Sequence, residues 1–181
     1  DAHADMRKAY EGFEHSHASI MYNLITKTPL KKLVQVGIRD FCEDELIFIK
    51  ENPQRVVTFF DLALYDQKMN GIGWGQICEQ IIQNLPQQVY ISFDIDGLDP
   101  RFCPHTGTPV PGGLDLREAL YLIKKTVQSG REIIGFDLNE VSPGNSIPAE
   151  DAIPDSTAEW DANVGARLLY KLCGWALHTK S

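Results

Sequence analysis

Cysteine is scarce in this chain and never paired in sequence. Four of its 181 residues, Cys42, Cys78, Cys103 and Cys173, are scattered with no CxxC among them. That spacing argues against a zinc knuckle or a dithiol redox motif, and it reads as free thiols in a reducing, cytoplasmic compartment. No apolar run approaches the roughly 20 residues needed to cross a bilayer, so no membrane partner is expected. No signal peptide is visible. Positive charge is in deficit: 17 Lys and Arg face 25 Asp and Glu, a net charge of -8. With no basic patch, nucleic acid is an unsuitable partner. Internal repeats and low-complexity segments are also missing.

What is present is a soluble-protein composition, 43% hydrophobic and 23% charged, in a chain long enough for a single domain with a substantial core. Strand-like and helix-like segments alternate. Leu33 to Ile38 and Val56 to Leu62 read as strands, and Cys42 to Glu51 between them as a helix. Trp74 to Leu85 is amphipathic, with Ile77, Ile81 and Ile82 on one side. Val89 to Ile95 is a further strand. Asp115, with Glu118 three residues later, marks a capped helix that Gly130 closes. Ile133 to Leu138 is the next strand, and Thr157 to Leu177 the last helix. The polar, proline-bearing stretch from Gly144 to Ser156 reads as a surface loop. This rhythm predicts an α/β fold, a three-layer α/β/α arrangement around a mainly parallel sheet. Ligands of such sheets bind beyond the carboxyl ends of the strands.

Two acidic clusters carry the chemistry. The chain opens Asp1-Ala2-His3-Ala4-Asp5, and later runs Ser92-Phe93-Asp94-Ile95-Asp96-Gly97-Leu98-Asp99-Pro100. In an extended strand residues two apart share a face, so Asp1, His3 and Asp5 would project together, and so would Asp94 and Asp96. Most loop aspartates cap turns, and Asp99 before Pro100 reads that way. Same-face alternation occurring twice points instead to metal ligands. Carboxylates with a single histidine suit Mn²⁺-like ions better than structural zinc. Two such ions sharing a water lower its pKa toward neutrality. Cys103, in the loop after Asp96, is the thiol nearest this chemistry in sequence.

DAHAD, SHASIM, SFDIDGLDP, TGTPVPGG and GFDLNEVSPG, in that order, resemble the motif series of the ureohydrolases, the arginase and agmatinase family. The resemblance runs from Asp1 to at least Gly144. It implies an arginase-like fold, a homo-oligomer (trimer or hexamer), and two Mn²⁺ ions at a site that hydrolyses a guanidino substrate to urea and an amine. Carried over motif by motif, Asp1 and Asp94 would bridge the ions. His3 and Asp96 would complete one ion's ligands, and Asp5 would serve the other. The family supplies that second ion with a histidine from an earlier glycine-rich motif. His15, His17, His105 and His178 all follow DAHAD, so the N-terminal strands and that motif are expected to lie outside this chain. His17 matches the family's proton-shuttling histidine, whereas His15 reads as a plain loop residue and the role of His105 is open. Glu140 matches the carboxylate that holds the guanidinium, and Asp5 the group that passes a proton to the leaving amine.

The segment MRKAYEGFEHS looks closer to agmatinases than to arginases, and Glu11 and Glu14 could favour an amine tail. Agmatine, giving putrescine, is therefore the expected substrate, with arginine, guanidinobutyrate and formiminoglutamate as alternatives. Two other readings differ in class. One is a truncated, inactive homologue serving as an assembly module. The other is a deacetylase-like relative with one zinc, against which Glu140 and the second aspartate of DAHAD both argue.

Overall fold

The structure is a computed structural model, and it describes residues 1–142 and 159–179. The chain forms two compact units, Asp1–Pro86 and Gln87–Ser181.

The first unit is built on a parallel strand–helix–strand crossover. Strand β1 is Leu33–Ile38, and β2 is Val56–Phe60, paired parallel to it. Helix α1, Ile20–Lys27, precedes β1, and α2, Glu43–Glu51, joins the two strands. Parallel neighbours require such a crossover, because a tight turn can only reverse the chain. A bulge interrupts β1 between Val36 and Ile38. Gly37 supplies it with φ 88°, which a side chain would resist. The core gathers Met21 and Ile25 from α1, Ile38 from β1, Ile49 from α2 and Val56 from β2. Ala4 and Met6 belong to the same cluster, so the opening motif is anchored in the core of its unit.

Two more helices complete this unit. Helix α3, Asp61–Met69, begins where the sequence reading continued the second strand to Leu62. The β-branched and aromatic run ends at Phe60, and Asp61 is placed in the first turn of α3, where a carboxylate opposes the positive end of the helix dipole. Helix α4, Trp74–Gln83, buries Ile77, Ile81 and Ile82 as its spacing predicts.

The second unit repeats the crossover. Strand β3, Gln88–Asp94, and β4, Glu132–Asn139, run parallel with Asp94 opposite Asn139. Helix α5, Leu116–Gln128, connects them. Its capping box is present: Asp115 accepts from the Arg117 amide at 2.8 Å, and Glu118 accepts from the Asp115 amide at 3.0 Å. Helix α6, Trp160–His178, packs on β4 and α5. Ile123 and Val127 of α5, Ile133 of β4 and Leu172 of α6 form the core. Among the described residues both strand pairs are parallel, as expected for the α/β class. The expected loop from Gly144 to Ser156 lies outside the described residues, as do the first residues of the expected last helix. No described helix is long and apolar enough to cross a membrane.

Candidate metal centre and catalytic residues

The opening motif is not the regular strand that its alternation suggests. His3 makes one isolated parallel bridge, to Asp40, just beyond β1. Asp5 leaves the extended region altogether, with φ 54°. Burial nevertheless alternates: Ala2, Ala4 and Met6 are buried, while Asp1, His3 and Asp5 are half-buried. The Ala2 carbonyl accepts from the amides of Arg39 and Asp40 at 2.8 and 3.0 Å, and the Ala4 carbonyl accepts from Gln35 Nε2 at 2.7 Å. These bonds hold the alanine side against the core and turn the acidic side outward.

Asp1 is the hub of the acidic cluster in the first unit. Its Oδ1 accepts from the His3 amide at 2.7 Å and lies 3.7 Å from His3 Nδ1. A carboxylate oxygen of Asp1 and one of Asp5 also lie within 4.8 Å of each other. On its other edge, His3 Nε2 is 3.8 Å from Asp40 Oδ2, so the ring lies between two carboxylates. The left-handed turn at Asp5 has a partner too. Its carbonyl accepts from the amides of Met21 and Tyr22, at 3.0 and 3.2 Å, satisfying donors that the first turn of α1 cannot pair internally.

His17 opens a short 3-10 turn, His17–Ser19, capped by the Ser16 hydroxyl. It is exposed, and its ring meets the edge of Tyr10 at 5.7 Å. The Arg7 guanidinium covers Tyr10 at 5.2 Å and reaches Glu45 Oε2 at 3.6 Å. Helix α2 is thereby linked to the histidine through three side chains. Glu14 lies 3.8 Å from Lys27 at the surface, and Glu11, also exposed, has φ 52°. His15 is exposed, in keeping with a plain loop residue.

In the second unit, Asp94 is the last residue of β3, and Asp96 sits in the 3-10 turn Ile95–Gly97. The two therefore do not share a strand face. The turn instead carries Asp96 inward until it is 1% exposed. Burial holds the Asp94 carboxyl above its usual range; the negative charges of Asp96 and Asp137 push the same way, against a hydrogen bond from Asn139. Two neighbouring carboxylates in poorly solvated surroundings are a place where a cation relieves repulsion. Asp99 is a turn cap, as read, accepting from the Arg101 amide at 2.9 Å. The buried Cys103 thiol donates to the Ile95 carbonyl at 3.3 Å, so its role is to brace the turn that holds Asp96.

Glu140 follows β4 directly, exposed and left-handed with φ 61°. Thr106 Oγ1 donates to its carbonyl at 2.9 Å. Its carboxylate Oε2 would lie 3.4 Å from a Cβ built on Gly107, so the side chain lies beside the loop before TPVPGG. The first unit thus provides Asp1, His3, Asp5 and His17, and the second Asp94, Asp96 and Glu140.

Several supporting residues escaped the sequence reading. Glu45, 2% exposed, accepts from the amides of Met6 at 2.9 Å and Cys42 at 2.7 Å. Gln35 is buried in β1, holding Ala4 on one side and accepting from Thr58 Oγ1 at 3.0 Å on the other. A glutamine inside the apolar run LVQVGI was the available signal, since buried amides need partners.

The family model for the arginase family matches residues 1–173. The chain belongs to the arginase family. An N(1)-aminopropylagmatine ureohydrolase of Thermus thermophilus is 37% identical over 150 residues, 83% of this chain and 47% of that protein. Another with the same name, from Synechocystis sp., is 34% identical over 176 residues, 97% of this chain and 50% of that protein. The crystal structure of an agmatine ureohydrolase of Thermoplasma volcanium superposes with TM-score 0.72 at 27% identity, covering 97% of this chain and 53% of that one. The fold is arginase-like, and the chain spans about half the length of the curated relatives it matches.

Proposed function

We propose that this chain is part of a binuclear manganese hydrolase that cleaves the guanidino group of agmatine, or of an N1-substituted agmatine, to urea and an amine. Membership of the arginase family supports the reaction class, and the names of the relatives support an amine-tailed substrate. The observation that carries the catalytic assignment is conformational. Among the described residues, the non-glycine residues with positive φ are Asp5, Glu11 and Glu140. Such backbone strain concentrates where a side chain must be aimed, and two of the three are residues assigned catalytic work.

The donor set fits the metal. Asp1, His3, Asp5, Asp94 and Asp96 give carboxylate oxygens and one imidazole, which suit Mn²⁺. Asp1 and Asp94 would serve both ions, His3 and Asp96 one of them, and Asp5 the other. When bound, such a pair of ions supplies a water acidic enough to act as a nucleophile near neutral pH.

The remaining roles belong to side chains. Glu140 pairs with the planar guanidinium, whose N–H donors match a carboxylate in charge and geometry. Asp5 carries a proton toward the departing amine nitrogen. His17, exposed on its 3-10 turn, exchanges protons with solvent, a task suited to an imidazole, which can both donate and accept a proton. Glu14 has Lys27 beside it, which leaves Glu11 as the carboxylate we assign to the substrate's distal amine.

Urea release by the manganese-loaded, full-length protein from agmatine, N1-aminopropylagmatine and arginine tests this reading. We expect turnover of the two amines and not of arginine. Turnover of arginine alone would overturn the substrate assignment. No urea from any of them, with metal bound, would overturn the activity.

A further inference from the structure

We propose that Asp161 and His105 form a latch that positions Glu140. The inference rests on the reading of Glu140 as the guanidinium partner and adds two residues to that site. Asp161 lies in the first turn of α6 and is 0% exposed. Both of its oxygens are committed to one residue. Oδ2 accepts from the His105 amide at 2.9 Å, and Oδ1 faces His105 Nδ1 at 2.9 Å. A carboxylate has no proton to give, so Nδ1 carries the hydrogen and the ring is held in one tautomer and one orientation. A buried carboxylate is costly unless it is satisfied in this way.

The residue after His105 does the positioning. Thr106 is buried and donates from Oγ1 to the Glu140 carbonyl at 2.9 Å. Gly107, one step on, leaves open the space beside the Glu140 carboxylate, since a Cβ there would stand 3.4 Å from Oε2. The backbone of Glu140 is thus bonded to Thr106 and its side chain lies beside Gly107, and the latch fixes where those two residues sit. A second tie joins the same elements: Trp160 Nε1 donates to the Arg101 carbonyl at 3.0 Å. Glu140 itself is left-handed and exposed, so it needs outside support to keep one direction. Asp161 and His105 are positioning residues, which act through Thr106 and Gly107.

The test measures methylguanidinium binding by calorimetry on the full-length, manganese-loaded protein, together with manganese content and thermal midpoint. His105→Ala keeps the backbone bond and removes the ring bond. We expect methylguanidinium affinity to fall on the order of tenfold, the scale of one lost charge-assisted hydrogen bond, with manganese content unchanged. His105→Asn, whose amide N–H can take the place of Nδ1–H, should restore most of that affinity. Asp161→Ala, which removes both acceptors, should lose it. A purely structural role would lower the thermal midpoint and leave affinity in the folded protein untouched, for Ala and Asn alike. Wild-type affinity in His105→Ala would overturn the latch while a weakened Glu140→Ala leaves the guanidinium reading standing. Wild-type affinity in both would overturn that reading and the latch with it.

Discussion

Replacing Glu45 by glutamine separates a buried carboxylate that builds the site from the many acidic residues that only solvate the surface. Glu45 sits in the first turn of α2, 2% exposed, and receives two backbone N–H groups, from Met6 at 2.9 Å and Cys42 at 2.7 Å. Glutamine keeps one acceptor oxygen and turns an NH₂ toward the other amide. One charge-assisted bond is lost and one buried donor is stranded, at a cost of about 1–3 kcal/mol. The Arg7 pair adds little. The Arg7 side chain is 37% exposed and its Nε is 3.6 Å away, so solvent screening holds that contribution below about 1 kcal/mol. The expected loss is therefore about 2 kcal/mol, read as a lowered urea midpoint at constant slope. Glu79→Gln on the exposed face of α4 is the control and should stay within about 0.5 kcal/mol. Because Met6 adjoins Asp5, the Glu45 variant should also show faster hydrogen exchange at the Met6 amide and less stabilisation by Mn²⁺. A loss no larger than the control's, with Met6 still protected, would refute the assignment of Glu45 as the anchor of the opening motif.

Two further predictions concern the second unit. Burial raises the Asp94 carboxyl, so the folded metal-free protein holds that proton more tightly than the unfolded chain does. The associated stability is complete below the ordinary carboxylate range near pH 4 and is lost as pH rises through the raised value. Metal-free Asp94→Asn should therefore gain on wild type as pH rises from about 4 to 7 in thermal melts, and the gap should close when Mn²⁺ is added to wild type; a constant gap across that range would contradict the shift. In α6, an alanine Cβ at position 165 would stand 2.9 Å from Val141 Cγ1, whereas one at position 174 meets nothing within 4 Å. Gly174→Ala should stabilise by about 0.5–1 kcal/mol through helix propensity. Gly165→Ala should fall below it by about 1–3 kcal/mol of overpacking and should raise KM by shifting the residue next to Glu140; equal melting of the two variants would count against that close approach.

The elements that sequence reads well are those with a local cause. The helix after Asp115 was legible because cap, box residue and apolar period all lie within one stretch, and β1 because LVQVGI is a buried run with a clear start. Helix α3 was missed because Val56 to Leu62 keeps its apolar character across the point where the backbone changes. Helix α1, within SHASIM and the residues after it, was missed because part of its support is a carbonyl fifteen residues upstream, at Asp5. Long-range partners of that kind leave no periodic signal. Glu45 and Asp161 were overlooked for the same reason, since each is an ordinary acidic residue in the first turn of a helix until the amides it accepts from are known.

The candidate site shows where pattern rules and chemistry part. Alternation named Asp1, His3, Asp5, Asp94 and Asp96, yet neither cluster is a plain strand. The first alternates in burial through a single bridge and then turns left-handed at Asp5; the second leaves β3 and coils inward at Asp96. A regular strand would send successive same-face side chains along parallel lines about 7 Å apart, twice the rise per residue. Ligands of one ion must instead converge to roughly 2 Å from a common point. Breaking the strand at the residue that bears the ligand is the means available to a short motif, and the bonds that fix the break come from elsewhere in the same unit. For Asp5 they come from the first turn of α1, and for Asp96 from the thiol of Cys103 on Ile95. Glu140 obeys the same logic at the end of β4, where Thr106 takes its carbonyl. The spacing of the motif therefore singles out the candidate residues, and the backbone departures at those residues set where their side chains begin.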